Sequence, residues 1–192
     1  MNVIALCGYS GSGKTTLIEQ LIARMRLDGQ RVSVVKHAHH DFDIDHEGKD
    51  SWRHRQAGAF EVVIASDRRL AKMREYPRPT EPTIEQLIAE LSECDWVLVE
   101  GFKHAARPKI EVWRAATGKR AQYPFDPFVI AIATDSAEAL PEPTGLPVFH
   151  LDDVDAIAAF IGAQADRCRE RTGVTMDDAA SRRAAAAMLD RE

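Results

Sequence analysis

The chain has 192 residues and a formal net charge of -5, with 45% hydrophobic and 29% charged residues, the balance of an ordinary soluble globular domain. The acidic balance disfavours a broad nucleic-acid surface, no apolar stretch is long enough to span a bilayer, and the N-terminal apolar run is too short for a signal peptide. The three cysteines, Cys7, Cys94 and Cys168, are scattered and odd in number, which argues against a disulfide framework and fits a reducing cytoplasm.

Val3 to Cys7 is a short apolar run that predicts a buried strand. Gly8-Tyr9-Ser10-Gly11-Ser12-Gly13-Lys14-Thr15-Thr16 follows, with the spacing G-x-x-x-x-G-K-[ST]. From Thr15 to Leu27, apolar Leu17, Leu21, Ile22 and Met25 recur at helical spacing. A strand, a glycine loop and a helix N-terminus in that order make a phosphate cradle. Glycines let backbone N–H groups turn inward, and the helix end adds positive potential. Lys14 is expected to reach the β- and γ-phosphates, and the Thr15 hydroxyl to ligate Mg²⁺.

Arg31 to Lys36 is the second predicted strand, after a helix stop at Gly29. Beyond it, four histidines (His37, His39, His40, His46) crowd against alternating Asp41, Asp43 and Asp45. Asp41, Asp43, Asp45 and Asp50 are candidates for Mg²⁺ contact, with Asp50 the one retained. The histidines and Arg53 suit an anionic substrate. A transition-metal site, with His37 and His39 or His39 and Asp41 on one face, and a plain polar surface loop are the other readings.

Asp50 to Ala57 reads as a helix, and Phe60 to Ser66 with Leu70 to Arg74 as a strand pair about a turn at Asp67-Arg68. Thr83 to Leu91 reads as a helix opened by a Thr83/Gln86 capping box. Asp95 to Gly101 is a strand ending in Glu100, the position of an acid that holds Mg²⁺ or its water. Lys14 and Glu100 are the catalytic candidates. Lys109 to Arg114 is a further strand, and an edge candidate together with Phe60 to Arg74. Phe128 to Asp135 is an apolar strand ending in Asp135. A carboxylate there suits guanine, whose N1–H and N2 amino group it accepts. The Asn-Lys that commonly precedes such an Asp is absent, and a cap or turn Asp is the other reading. Val148 to Leu151 is a short extended run, and Asp152 to Gln164 is amphipathic.

Alternating strands and helices imply an α/β fold: a three-layer sandwich of the P-loop NTPase type, its sheet mostly parallel with some antiparallel edge strands. Ligands are expected at the carboxyl ends of the strands. One domain is expected over residues 1–164. Residues 165–192, rich in Ala and Arg, read as a helical extension with a thin apolar stripe of Met176, Ala180, Ala184 and Met188.

The runs GYSGSGKTTL, VVKHAHHDFDID, GKDSWRHRQAGA, VLVEGFK and IATD, in that order, resemble molybdopterin-guanine dinucleotide biosynthesis protein B, a GTP-binding adaptor family. The resemblance spans roughly Asn2 to Gly162; the P-loop is generic, whereas the His-rich run and Val99 to His104 are specific. It implies a P-loop α/β dimer that binds GTP with Mg²⁺, hydrolyses it weakly, and assists the molybdenum cofactor guanylyltransferase. It leaves open whether molybdopterin or its guanine dinucleotide binds directly. Residue by residue, Gly8 to Thr16 take the phosphate role, Glu100 and Gly101 the strand-end acidic position, and the His37 to Asp50 run the signature loop. A small-molecule kinase and a metallochaperone GTPase remain as alternatives on the residues alone.

Overall fold

The central strands of the computed structural model are short runs rich in branched or apolar residues. The described residues are 1–38 and 42–170. In chain order they form β1 (Asn2–Cys7), α1 (Lys14–Leu27), β2 (Val32–Lys36), α2 (Asp50–Gln56), β3 (Glu61–Ala65), β4 (Leu70–Arg74), α3 (Ile84–Ala89), β5 (Trp96–Glu100), β6 (Lys109–Trp113), β7 (Val129–Thr134), β8 (Val148–His150), α4 (Val154–Ala163) and α5 (Ala165–Cys168). They fall into two units: Met1–Lys36 with the chain from Leu91 onward, and His37–Glu90. The expectation of a single domain over residues 1–164 had not separated the second unit.

The first unit is a six-stranded sheet in the order β2-β5-β1-β6-β7-β8. Every named strand pair in it is parallel. Parallel strands need their connections on the sheet faces, so the strands read as near-continuous apolar runs. The period of two holds in β1, β5 and β6 and is interrupted at the register shift between β6 and β7. Ile4 and Leu6 of β1, Leu98 of β5 and Ile110 and Val112 of β6 face one core, filled by Leu17 and Leu21 of α1 and Ile157 and Ile161 of α4. Each of these side chains, almost wholly removed from water, contributes about 1.5–3 kcal/mol of hydrophobic stabilisation. On the opposite face Cys7, Trp113, Val129 and Ile132 pack against Ala121 and Tyr123, which come from a loop. Burial pushes the Cys7 thiol up to about 12, so it acts as a small core residue.

The placement of β6 corrects the sequence expectation. On the sequence alone Lys109 to Arg114 is an edge candidate. It lies inside the sheet, between β1 and β7. Lys109 and Glu111 are both fully buried. The Lys109 ammonium donates to the Lys103 carbonyl at 2.7 Å and to Asp126 at 2.8 Å. Glu111 accepts from the backbone N–H groups of Gln122 and Tyr123, at 2.7 Å each. Burial holds the Glu111 carboxyl above the usual carboxylate range, with those two N–H groups opposing it. The polar face of β6 is thus lined with partners instead of water.

In the second unit β3 and β4 pair antiparallel, from Glu61 opposite Arg74 to Ala65 opposite Leu70. They form a two-stranded sheet of their own, not edges of the main sheet. The turn comes at Asp67-Arg68 as expected, and the Ser66 hydroxyl accepts from the N–H groups of Arg68 and Arg69. Glu61 pairs across the ladder with Arg74. The Thr83/Gln86 capping box is present in both directions.

The chain's packing against the first unit continues past residue 164. Cys168 is 2% exposed within the main core. Arg169 bridges to Asn2, and Arg107 holds Glu170 with a second contact at 3.1 Å. The stripe from Met176 to Met188 lies outside the described residues.

Candidate functional site

The glycine loop, a candidate phosphate cradle, connects the carboxyl end of β1 to the start of α1, in the middle of the parallel sheet. Two of its glycines are dictated by geometry. At Gly8 φ is +134°, and a Cβ there would stand 2.3 Å from the Val112 carbonyl oxygen. No side chain fits, because β6 runs directly alongside. Gly13, the residue before the helix, has φ +99°, which an L side chain adopts only with strain. The Ser12 hydroxyl is buried under the loop, 3.0 Å from where a Gly8 Cβ would stand.

Lys14 opens α1 and folds back over the loop, donating from Nζ to the Tyr9 carbonyl at 2.8 Å. Partial burial pulls its ammonium below the ordinary lysine range, and the Glu100 carboxylate opposes this. Other cations gather here. The ammonium groups of Lys103 and Lys119 each stand 6.0 Å from the centre of the Tyr9 ring. The loop, the helix N-terminus and these cations make a site for a strongly anionic group.

Thr15 and Glu100 meet beside the loop, as their strand and helix ends require. The Thr15 hydroxyl donates to Glu100 Oε1 at 2.8 Å. Lys36, which lies opposite Glu100 in the β2–β5 register, approaches Oε2 at 3.4 Å. A hydroxyl and a carboxylate at the edge of a phosphate cradle are the hard oxygen donors that Mg²⁺ takes, so these residues fit the ion. Immediately afterwards the backbone is left-handed at Gly101 (φ 96°) and at Phe102 (φ 48°). A non-glycine residue in that region is held there by its surroundings. The buried Lys109 ammonium on the Lys103 carbonyl is one such restraint.

Replacing Glu100 by Gln keeps the shape and the hydrogen bond while removing the charge. Glu100→Gln is expected to shift the Mg²⁺ dependence of triphosphate binding by roughly tenfold. Calorimetric titration of Mg²⁺ into protein with triphosphate measures it, and an unchanged midpoint would take Glu100 out of the metal site.

The remaining sequence candidates divide between the units. Asp135 follows β7 at the same carboxyl end of the sheet, with its carboxylate 3.6 Å from Arg114. In the second unit Asp43 and Asp45 are both gripped by Arg55, at 3.0 and 3.2 Å, and Arg55 also holds Glu75 at 2.6 Å. Asp43 is drawn below the usual carboxylate range by the Asp45 backbone N–H and by Arg55. Asp45 further accepts from Ser51 at 2.9 Å. The cation that organises this loop is thus Arg55. Arg53 is exposed and stands 3.9 Å from Asp50. His37 lies 3.4 Å from Glu81. His39, His40 and Asp41 fall outside the described residues. Among the described residues no group of three or more His, Cys, Asp or Glu side chains is placed to hold a metal ion.

Sequence reasoning missed Arg114, Lys109 and Arg55. Each acts through a contact with residues distant along the chain, and a single arginine or lysine in a strand or helix carries no local signature of it.

Comparison with known proteins places this arrangement among relatives. A family model described as molybdopterin guanine dinucleotide synthesis protein B matches residues 3–135. The chain is 44% identical over 135 residues to the molybdopterin-guanine dinucleotide biosynthesis adapter protein of Haemophilus influenzae, covering 69% of this chain and 74% of that one. It is 38% identical over 162 residues to the protein of the same description from Escherichia coli, covering 83% and 90%. Among solved structures it is similar to Bacillus subtilis MobB, with TM-score 0.67, 28% identity and coverage of 86% and 98%. The MobB homologue of Bacillus stearothermophilus gives 0.62 and 26%, with coverage of 86% and 99%.

Proposed function

From the premise that the chain belongs to the molybdopterin guanine dinucleotide synthesis protein B family, we propose that it is a GTP-binding adapter with slow, Mg²⁺-dependent GTP hydrolysis. Its place as an adapter in molybdopterin guanine dinucleotide biosynthesis follows from the family. The observation that carries the nucleotide reading is the meeting of Thr15 with Glu100 at 2.8 Å beside a glycine loop closed over by Lys14. In this reading the loop N–H groups and Lys14 bind the phosphates, and Thr15 and Glu100 would hold Mg²⁺, which neutralises phosphate charge when bound. Asp135 takes the guanine edge, accepting from N1–H and the N2 amino group. Adenine presents a bare acceptor to the same carboxylate, an unpaired contact costing about 1–3 kcal/mol, or roughly tenfold to a hundredfold in affinity.

The partner in this reading is the guanylyltransferase that joins GMP to molybdopterin, and the assembly is a homodimer. What supports a second chain is the β3–β4 sheet, whose strands expose Val63 (58%) and Leu70 (67%). A two-stranded ribbon leaves both outer edges unpaired. Among the described residues no helix is long and apolar enough to cross a membrane.

Titration of the parent and of Asp135→Asn with GTP, ATP and XTP tests the reading. The parent is expected to prefer GTP. The Asn variant, which replaces an acceptor with a donor, is expected to lose GTP and gain XTP, whose position 2 carries a carbonyl. A parent indifferent to the base overturns GTP specificity. A variant that keeps full GTP preference removes Asp135 as the reader. Light scattering on the same samples reads the dimer, and a monomer at micromolar concentration overturns that part.

A further inference from the structure

Asp135 is not alone at its strand end. Arg114 follows β6, the neighbour of both β1 and β7, so its side chain emerges between the phosphate loop and the carboxyl end of β7. Its guanidinium lies over the bare Cα of Gly13. A Cβ built on that glycine would stand 3.4 Å from Nη2, 3.7 Å from Cζ and 3.8 Å from Nε. Its Nε is 3.6 Å from the Asp135 carboxylate, too far for a hydrogen bond, and is itself buried without an acceptor. One planar cation therefore stands over the last glycine of the loop and faces the strand-end acid.

Resting on the GTP reading above, we propose that Arg114 is a positioning residue for guanine. It holds the Asp135 carboxylate in register with the phosphate loop, supplying from the next strand the cation that the run Ala133-Thr134-Asp135 lacks.

The chemistry is consistent with a carboxylate serving two masters. An ionised Asp offers about four lone-pair sites, so a guanidinium at one flank leaves room for guanine N1–H and the N2 amino group on the other. A purine seated against Asp135 takes water away from it, and an isolated carboxylate resists that. A fixed positive charge beside it offsets the cost, and more so as the site dries. In the form described here both side chains are more than one-third exposed, at 38% and 42%. Such a pair adds little to folding stability, so its geometry matters to the ligand more than to the fold. Arg is better suited than Lys because its planar fork meets a carboxylate on one side while its face lies flat on Gly13.

The test is a base-selectivity measurement on Arg114→Ala and Arg114→Lys, with GTP and ATP titrated in excess Mg²⁺ and thermal melting as the control. Arg114→Ala is expected to weaken GTP by about tenfold and ATP by no more than about twofold, so that the GTP:ATP preference collapses. Arg114→Lys is expected to recover part of the preference. In the Asp135→Ala background, Arg114→Ala is expected to change GTP binding little further, the non-additivity of two residues acting together. Equal losses for GTP and ATP would mean that Arg114 acts on the phosphates, and would overturn the proposal while leaving GTP binding intact. Unchanged GTP affinity, or additive losses in the double variant, would overturn it as well. A parent that binds neither nucleotide would overturn both readings, since nothing would then be positioned.

Discussion

Lys14→Ala is expected to weaken triphosphate binding by about tenfold to a hundredfold while melting close to the parent. The two halves of this result come from different contacts. Toward a ligand, Lys14 offers a cation at the mouth of a loop already rich in inward N–H groups, and a hydrogen bond to a charged group is worth about 1.5–3 kcal/mol. The Lys14 ammonium is held over the loop by the Tyr9 carbonyl at 2.8 Å, so the side chain is pre-placed and little ordering entropy opposes its use. Toward the fold, Lys14 contributes that same hydrogen bond to the Tyr9 carbonyl, and loss of a single such bond costs about 1 kcal/mol. Alanine is also the best helix former for the first turn of α1. Titration with a labelled triphosphate, paired with thermal melting, separates the two halves. Undiminished affinity in a normally melting variant would refute the phosphate-cradle assignment.

Lys109→Ala is expected to do the opposite: to strike the fold first and the site second. The Lys109 side chain is 1% exposed and pairs with Asp126, itself 19% exposed. Removing one member of a buried pair leaves the other charge uncompensated, at a cost of about 3–5 kcal/mol. The Lys103 carbonyl loses its donor as well. Lys109→Met with Asp126→Asn fills the volume and removes both charges, so it is expected to recover most of the loss. Denaturant unfolding followed by circular dichroism reads both variants, and a loss below about 1 kcal/mol for Lys109→Ala would refute the buried-pair account. Because Lys109 also anchors the left-handed turn after Glu100, the Ala variant, where still folded, is expected to show weaker Mg²⁺ dependence of triphosphate binding. The same Mg²⁺ titration used for Glu100 measures this.

The glycine loop between β1 and α1 was legible in the sequence because its residues are consecutive. Nine consecutive residues, Gly8 to Thr16, supply the glycines, the lysine and the hydroxyl, and the flanking strand and helix announce themselves by period. The strand-end positions of Glu100 and Asp135 were legible for a related reason. An acid closing an apolar strand of a parallel sheet arrives at the end where ligands gather, wherever the strand lies in the sheet. The Thr83/Gln86 box and the Asp67-Arg68 turn are likewise decided within a few residues of chain.

Strand order is not local, and it is where the reading of β6 went astray. Lys109 and Glu111 alternate with Ile110 and Val112 whether the strand lies at an edge with water on one face or in the middle with partners there. The partners are Asp126 and the N–H groups of Gln122 and Tyr123, on a loop whose path no short-range pattern records. Arg114 shows the same division. By itself the sequence determined that a strand ends there in a cation. Only the tertiary structure decided that this strand lies between the phosphate loop and Asp135, because hydrophobic period fixes which way a side chain points, whereas its neighbours depend on which strands pair.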